Sequence, residues 1–98
     1  MSRKIGYARE NGNSATEKQN LEAQIARLRE SGCDVVFSEA VEGRTTQSNA
    51  LQAALKSLEP GDELKLHRRN ALVTDQEWYS EVKRQAKARG VGWVWVCV

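Results

Sequence analysis

Short apolar runs alternate with stretches of helical periodicity along the whole chain, and this alternation constrains the fold more than any other feature. Lys4 to Arg9 (KIGYAR) is a strand-like run. From Thr16 the period changes, and Leu21, Ile25 and Leu28 recur at the spacing of one helix face. Thr16 with Gln19 has capping-box spacing at its start, and Gly32 closes its end. Asp34 to Phe37 (DVVF) reads as a second strand. Asn49 with Gln52 opens a second helix that presents Leu51, Ala54, Leu55 and Leu58, and Pro60-Gly61 stops it. Leu64 and Leu66 alternate with charged residues in a third strand. Thr74 with Glu77 is expected to cap a third helix through Trp78, Val82 and Ala86, ended by Gly90. The tail VGWVWVCV is a fourth strand, with Trp93, Trp95 and Cys97 on one face and valines on the other.

A strand-helix order of this kind requires crossover connections. The expected fold is α/β, a three-layer α/β/α arrangement around a mostly parallel four-stranded sheet. In open sheets of this type, ligands collect at the carboxyl ends of the strands. Two loops therefore carry the candidate chemistry, Glu10 to Ala15 after the first strand and His67 to Val73 after the third.

Composition narrows the function classes. The 98 residues suit one domain over 1–98, and with a single proline and no low-complexity tract no linker divides it. A net charge of +2 does not by itself argue for a phosphate-backbone binder, which needs clustered Lys and Arg. Cys33 and Cys97 sit in or beside apolar runs, too few and too far apart for a disulfide framework or zinc site, and read as buried thiols in a reducing compartment. No signal-peptide core follows Met1, and no apolar stretch approaches the roughly 20 residues that span a bilayer, so a cytoplasmic protein without a membrane partner is expected. His67, the one histidine, has no second ligand at metal spacing and reads as structural or solvent-facing, and no metal or cofactor is expected.

Tyr7-Ala8-Arg9 resembles the Tyr-Ala-Arg-Val-Ser opening of the serine recombinase family, the resolvases and DNA invertases. Gln19-Asn20-Leu21 with Gln24 and Leu28 is similar to that family's first-helix pattern. Gly32-Cys33, Phe37 with Glu39, Leu51 through Leu58 with Pro60-Gly61-Asp62, and Arg89-Gly90-Val91 follow in family order, so that the resemblance covers nearly the whole chain. It implies a resolvase-like fold and a reaction in which a serine hydroxyl attacks a DNA phosphodiester. It also implies arginines arranged around the phosphate and an aspartate that handles protons, since a pentavalent phosphate needs positive donors already in place.

The active-site positions of that pattern are mostly vacant here. The nucleophile's place falls on Asn11 counting forward from Tyr7-Ala8-Arg9 and on Ala15 counting back from Gln19, because the intervening loop is longer. Ser48 stands where the family shows an arginine before the second helix. The family's Asp-Arg pair falls on Asn70-Ala71 and its next arginine on Thr74. Arg9, Gln19 and Glu39 remain at matching positions. Loss of a single transition-state donor costs about 10²–10³ in rate, and a missing nucleophile compounds the loss, so no catalytic residue is expected.

Several residues carry alternatives. Ser14 is the one hydroxyl near the vacant position and is the alternative nucleophile, although Ser14 with Glu17 is also a capping box. Arg9, Arg44, Arg68 and Arg69 could line a nucleic-acid-facing patch or lie on a solvated loop. Lys83, Arg84, Lys87 and Arg89 complement a helix C-terminus and read as a solvated face. Trp93 and Trp95 read as core aromatics beneath a helix. If the last strand is a sheet edge, Trp93, Trp95 and Val98 form part of an interface for a homo-oligomer or a recombinase-type partner.

The expected function is thus a catalytically degenerate recombinase-like domain that serves as a protein-interaction or regulatory module, with weak non-specific DNA binding left open. The first alternative is an active DNA strand-exchange or nicking enzyme using Ser14. The second is a small-ligand binder in the strand-end cleft, although Glu10 to Asn13 has no Walker pattern. The helix-turn-helix module that reads DNA in the family is not expected within these residues.

Overall fold

The computed structural model describes residues 3–10, 15–40, 49–68 and 70–97, with Asn49, Ala71, Thr74, Trp93 and Cys97 described by backbone alone. The expectations placed on Asn11, Ser14, Arg44, Ser48, Arg69 and Val98 lie outside the described residues. The elements run β1 (Lys4–Glu10), α1 (Ala15–Glu30), β2 (Val35–Ala40), α2 (Asn49–Ser57), β3 (Glu63–His67), α3 (Ala71–Thr74), α4 (Gln76–Ala88) and β4 (Trp93–Cys97).

The strands form one sheet in the order β2-β1-β3-β4, and every neighbouring pair is parallel. Alternation along β1 sends Ile5, Tyr7 and Arg9 to one face and Gly6 and Ala8 to the other. Ile5 is level with Leu64 and Tyr7 with Leu66. These four residues form the main core with Leu51, Ala54, Leu55 and Leu58 of α2 and its end, and with Trp78, Val82 and Ala86 of α4. The helix α1 lies over the opposite face, where a Cβ built on Gly6 would come within 3.1 Å of Cys33 Sγ and 3.3 Å of Leu28 Cδ1. The three layers follow from this division, and the sheet is wholly parallel.

Four local features differ from the sequence reading. The second strand is shifted to Val35–Ala40, while the Asp34 carboxylate accepts the Lys4 N–H at 2.9 Å and its own N–H donates to the Lys4 carbonyl. The helix α1 already begins at Ala15, so Thr16 is inside it, and its buried residues are Gln24 and Leu28, with Leu21 and Ile25 only half-buried. Thr74 is not a cap. It ends α3, and Asp75, in extended backbone at φ −107°, caps α4 by accepting the Trp78 N–H at 3.1 Å. Finally, Cys33 is half-buried rather than fully enclosed.

The amino end of the sheet is fastened by Asp62, whose side chain is 1% exposed. Its carboxylate accepts the backbone N–H of Arg3 at 2.9 Å and of Glu59 at 2.9 Å, and pairs with the Arg3 guanidinium at 3.1 Å. Burial disfavours the charge, but these donors outweigh it and hold the carboxyl below the usual carboxylate range.

Two measurements check this account. Gly6→Val should cost about 1–3 kcal/mol in urea unfolding, since α1 would have to lift from β1. Gly92→Ala, at a site with nothing within 4 Å of the added carbon, should be tolerated. For Asp62, a lowered folded pKa means that its stabilisation is present above the unfolded carboxylate pKa and is lost as pH falls through the folded value. Asp62→Asn should therefore cost about 1–3 kcal/mol at neutral pH, and its urea midpoint should fall less than that of the parent on acidification.

Candidate functional site at the carboxyl edge of the sheet

The chain leaves β1 toward β2 on one side and later returns to place β3 on the other. This makes the carboxyl ends of β1 and β3 the switch point where a crevice forms. Parallel register sets Arg9 beside Glu39, and β1 ends one residue later at Glu10. The side chains gathered here come from β1, β2, α1, the turn after β3, and α4.

Arg9 is fully buried. The parity that buries Ile5 and Tyr7 also turns Arg9 into the layer beneath α4. Its Nη1 donates to Tyr7 Oη at 3.1 Å and pairs with Glu39 Oε2 at 3.3 Å. The guanidinium carbon lies 4.6 Å from the centre of the Trp78 ring, a cation–π contact strengthened by desolvation. Tyr7 Oη donates to the same Glu39 oxygen at 2.5 Å. Burial pushes the Tyr7 hydroxyl far above its usual pKa; the hydrogen bond with Arg9 opposes this rise and that with Glu39 adds to it. The phenol thus stays protonated as a donor to the carboxylate. The Trp78 indole N–H is buried without an acceptor among the described residues, which fits a ring placed by stacking on Arg9.

Two amides fix the backbone around this cluster. Gln24, buried on α1, accepts the Arg9 N–H through Oε1 at 3.2 Å and donates from Nε2 to the Arg9 carbonyl at 2.9 Å. It therefore occupies both backbone groups of Arg9 as a neighbouring strand would. Asn70 donates from Nδ2 to the Tyr7 carbonyl at 3.1 Å and accepts the Leu72 N–H at 3.0 Å, capping α3. In the sequence, Gln24 is legible only as part of a helix pattern and Asn70 only as the loss of an acid. An asparagine directly before an apolar helical turn is, however, an N-cap signal.

The remaining candidates are dispersed. Gln19 is exposed on the first turns of α1, Arg68 is exposed in the turn after β3, and His67 is buried at the end of β3. Trp95 is 44% exposed on the edge strand and donates from Nε1 to Glu63 Oε1 at 2.6 Å, so it is not a core aromatic beneath a helix. The reason is topological: β4 is the outermost of the described strands, and α1 packs over the other half of that face. No cluster of three or more His, Cys, Asp or Glu side chains able to hold a metal occurs among the described residues. No described helix is long and apolar enough to cross a membrane.

A parallel sheet of order 2-1-3-4, with α1 on one face and α2 and α4 on the other, defines a resolvase-type α/β domain. A family model described as Resolvase, N terminal domain, matches residues 4–97. The transposon Tn552 DNA-invertase BinR of Staphylococcus aureus is 31% identical over 88 residues, covering 90% of this chain and 44% of the invertase. The C-terminal catalytic domain of ISC1926 TnpA, an IS607-like serine recombinase, has a similar fold, with a TM-score of 0.64 at 21% identity over 98% of this chain and 68% of that one. The chain belongs to the serine recombinase family, matching its resolvase N-terminal domain, and spans less than half the length of the invertase it resembles.

If Arg9 is a buried anchor, truncating it strands Glu39. Arg9→Ala should lower stability by about 3–5 kcal/mol, and Tyr7→Phe by a smaller amount, about 1–2 kcal/mol, both read from urea midpoints.

Proposed function

We propose that this domain keeps the recombinase fold for protein contacts and does not transfer DNA strands. The observation that carries the reading is the state of the switch point. Its retained arginine is enclosed by Tyr7, Glu39 and Trp78, and the neighbouring positions where the family pattern carries an Asp-Arg pair are Asn70 and Ala71. A phosphate in its charged intermediate needs several cations aimed at it, and a guanidinium already shared with a carboxylate and a ring does not supply them.

The contact surface includes β4 from Trp93 toward Val98, and the partner is a recombinase-type protein or another copy of the chain. Arg68 with Arg44 and Arg69 would account for weak, sequence-independent DNA retention, since phosphate contacts alone carry no sequence information. A cytoplasmic setting and a single domain over 1–98 belong to the same reading. The competing reading is DNA strand exchange through Ser14. It draws on the family membership itself, because the invertase and the IS607-like recombinase are named for that chemistry.

One experiment separates the two. The protein is incubated with supercoiled DNA, denatured, and resolved for a covalent protein–DNA species. The expected result is no adduct and no nicked circles. An adduct that disappears in Ser14→Ala would overturn the proposal.

A further inference from the structure

The helices α2 and α4 cover the same face of the sheet, and a groove of about 390 Å³ lies between them, lined by Gln52, Leu55, Lys56, Gln85, Ala88 and Arg89. Leu55, which is 3% exposed, forms its floor. The charges of its rim are ordered. Glu77, Glu81, Gln85 and Ala88 follow at i, i+4, i+8 and i+11, so they share the flank of α4 that borders the groove. That flank is acidic toward the carboxyl edge of the sheet. The groove is basic toward the amino edge, where Lys56 and Arg89 stand at the ends of α2 and α4. Arg89 donates from Nη2 to the Lys56 carbonyl at 3.1 Å, which keeps the two cations together. Neither has a carboxylate partner among the described residues. Glu81 Oε1 accepts from Arg84 Nη2 at 2.5 Å and from Gln85 Nε2 at 3.0 Å, and the Arg84 side chain is 74% exposed. The helix dipole accounts for Glu77 in the first turn of α4 and for cations at the helix ends. It acts only over those turns and does not account for Glu81.

Resting on the interaction-module reading above, we infer that two copies of this chain associate through this face, with their α4 helices antiparallel about a twofold axis at Gln85. In such a pair, residues equally spaced from the axis meet across it. Glu81 lies four residues to one side of Gln85 and Arg89 four residues to the other, about 6 Å along the helix in each direction. Glu81 of each copy therefore faces Arg89 and Lys56 of the other, and the same cluster forms twice. The two Gln85 amides meet at the axis, where each carries both a donor and an acceptor. Ala53 and Ala88 are exposed and small, so the facing helices can approach closely.

A polyanion is the poorer occupant. DNA or an acidic segment laid on Lys56 and Arg89 would meet Glu77 and Glu81 farther along the same rim, where like charges repel. A second copy brings both signs in the complementary order.

The test is sedimentation equilibrium of the intact chain, from micromolar to near-millimolar concentration and at two salt concentrations. A reversible dimer that weakens as salt is added is expected. Glu81→Lys and Lys56→Glu, each alone, should weaken it by roughly tenfold or more, because each sets like charges against one another at both clusters. Urea midpoints close to that of the parent establish that the variants fold. The two variants are then mixed. In the mixed pair both clusters again hold opposite charges, and heterodimers should form with an affinity near that of the parent. A purely structural role for either residue would not produce this rescue. Failure of the mixture to associate would overturn the inference, and so would a strict monomer at the highest concentration. A dimer indifferent to both substitutions would overturn it in favour of another face. A monomer that forms no covalent DNA adduct leaves the loss of strand transfer standing, and an adduct formed by a dimer with the expected rescue leaves this interface standing, so the two readings fail separately.

Discussion

The enclosure of Arg9 is the interaction on which the rest of the site depends. A guanidinium without solvent exposure is tolerated only where its charge is matched, and here Glu39 pairs with it, Tyr7 accepts from it and the Trp78 ring faces it, from three different elements. The cluster ties β1 to β2 and both to α4. Gln24 and Asn70 then fix the backbone on either side of it, from α1 and from the start of α3. Every layer of the domain contributes a group to this one end of β1. Stability and site geometry are consequently the same problem in this protein, and a change to either moves the other.

That coupling bears on activity. In a parallel sheet the carboxyl edge gathers functional groups because helices and loops converge there, and the same convergence can instead build a closed polar core. In this chain the described groups at the switch point, Arg9, Tyr7 and Glu39, are bonded to one another. The hydroxyl of Tyr7 is both donor and acceptor within the cluster, and its protonation is protected by burial. Such a cluster is suited to holding strands together. The accessible features, Arg68 and the groove between α2 and α4, lie outside it.

Much of the fold was readable from residue pattern. The order of elements, the leucine face of α2 and the alternation of Leu64 and Leu66 all follow from period and turn chemistry, because those residues are buried for the generic reason that they are apolar. The parts that were not readable depend on distance across the sheet. Whether an arginine at the end of β1 turns to solvent or inward is decided by strand parity and by what stands on the neighbouring strand and helix, here Glu39 and Trp78. Thr74 was mistaken for a cap because its spacing to Glu77 fits as well as that of Asp75 to Trp78, and only the short α3 turn distinguishes them. The exposure of Trp95 could not be seen before strand order was known, since a central strand would have buried the same sequence.

The two ends of the sheet are built on different terms. At the amino edge Gly90, at φ +84°, brings its turn against Pro60, with the Gly61 N–H donating to the Gly90 carbonyl at 3.1 Å, and a Cβ there would meet the proline ring at 2.9 Å. That seam is short-range and shares no group with the opposite rim. A lineage could therefore lengthen, shorten or rewrite the loops above the strands while the hem below kept the layers in register.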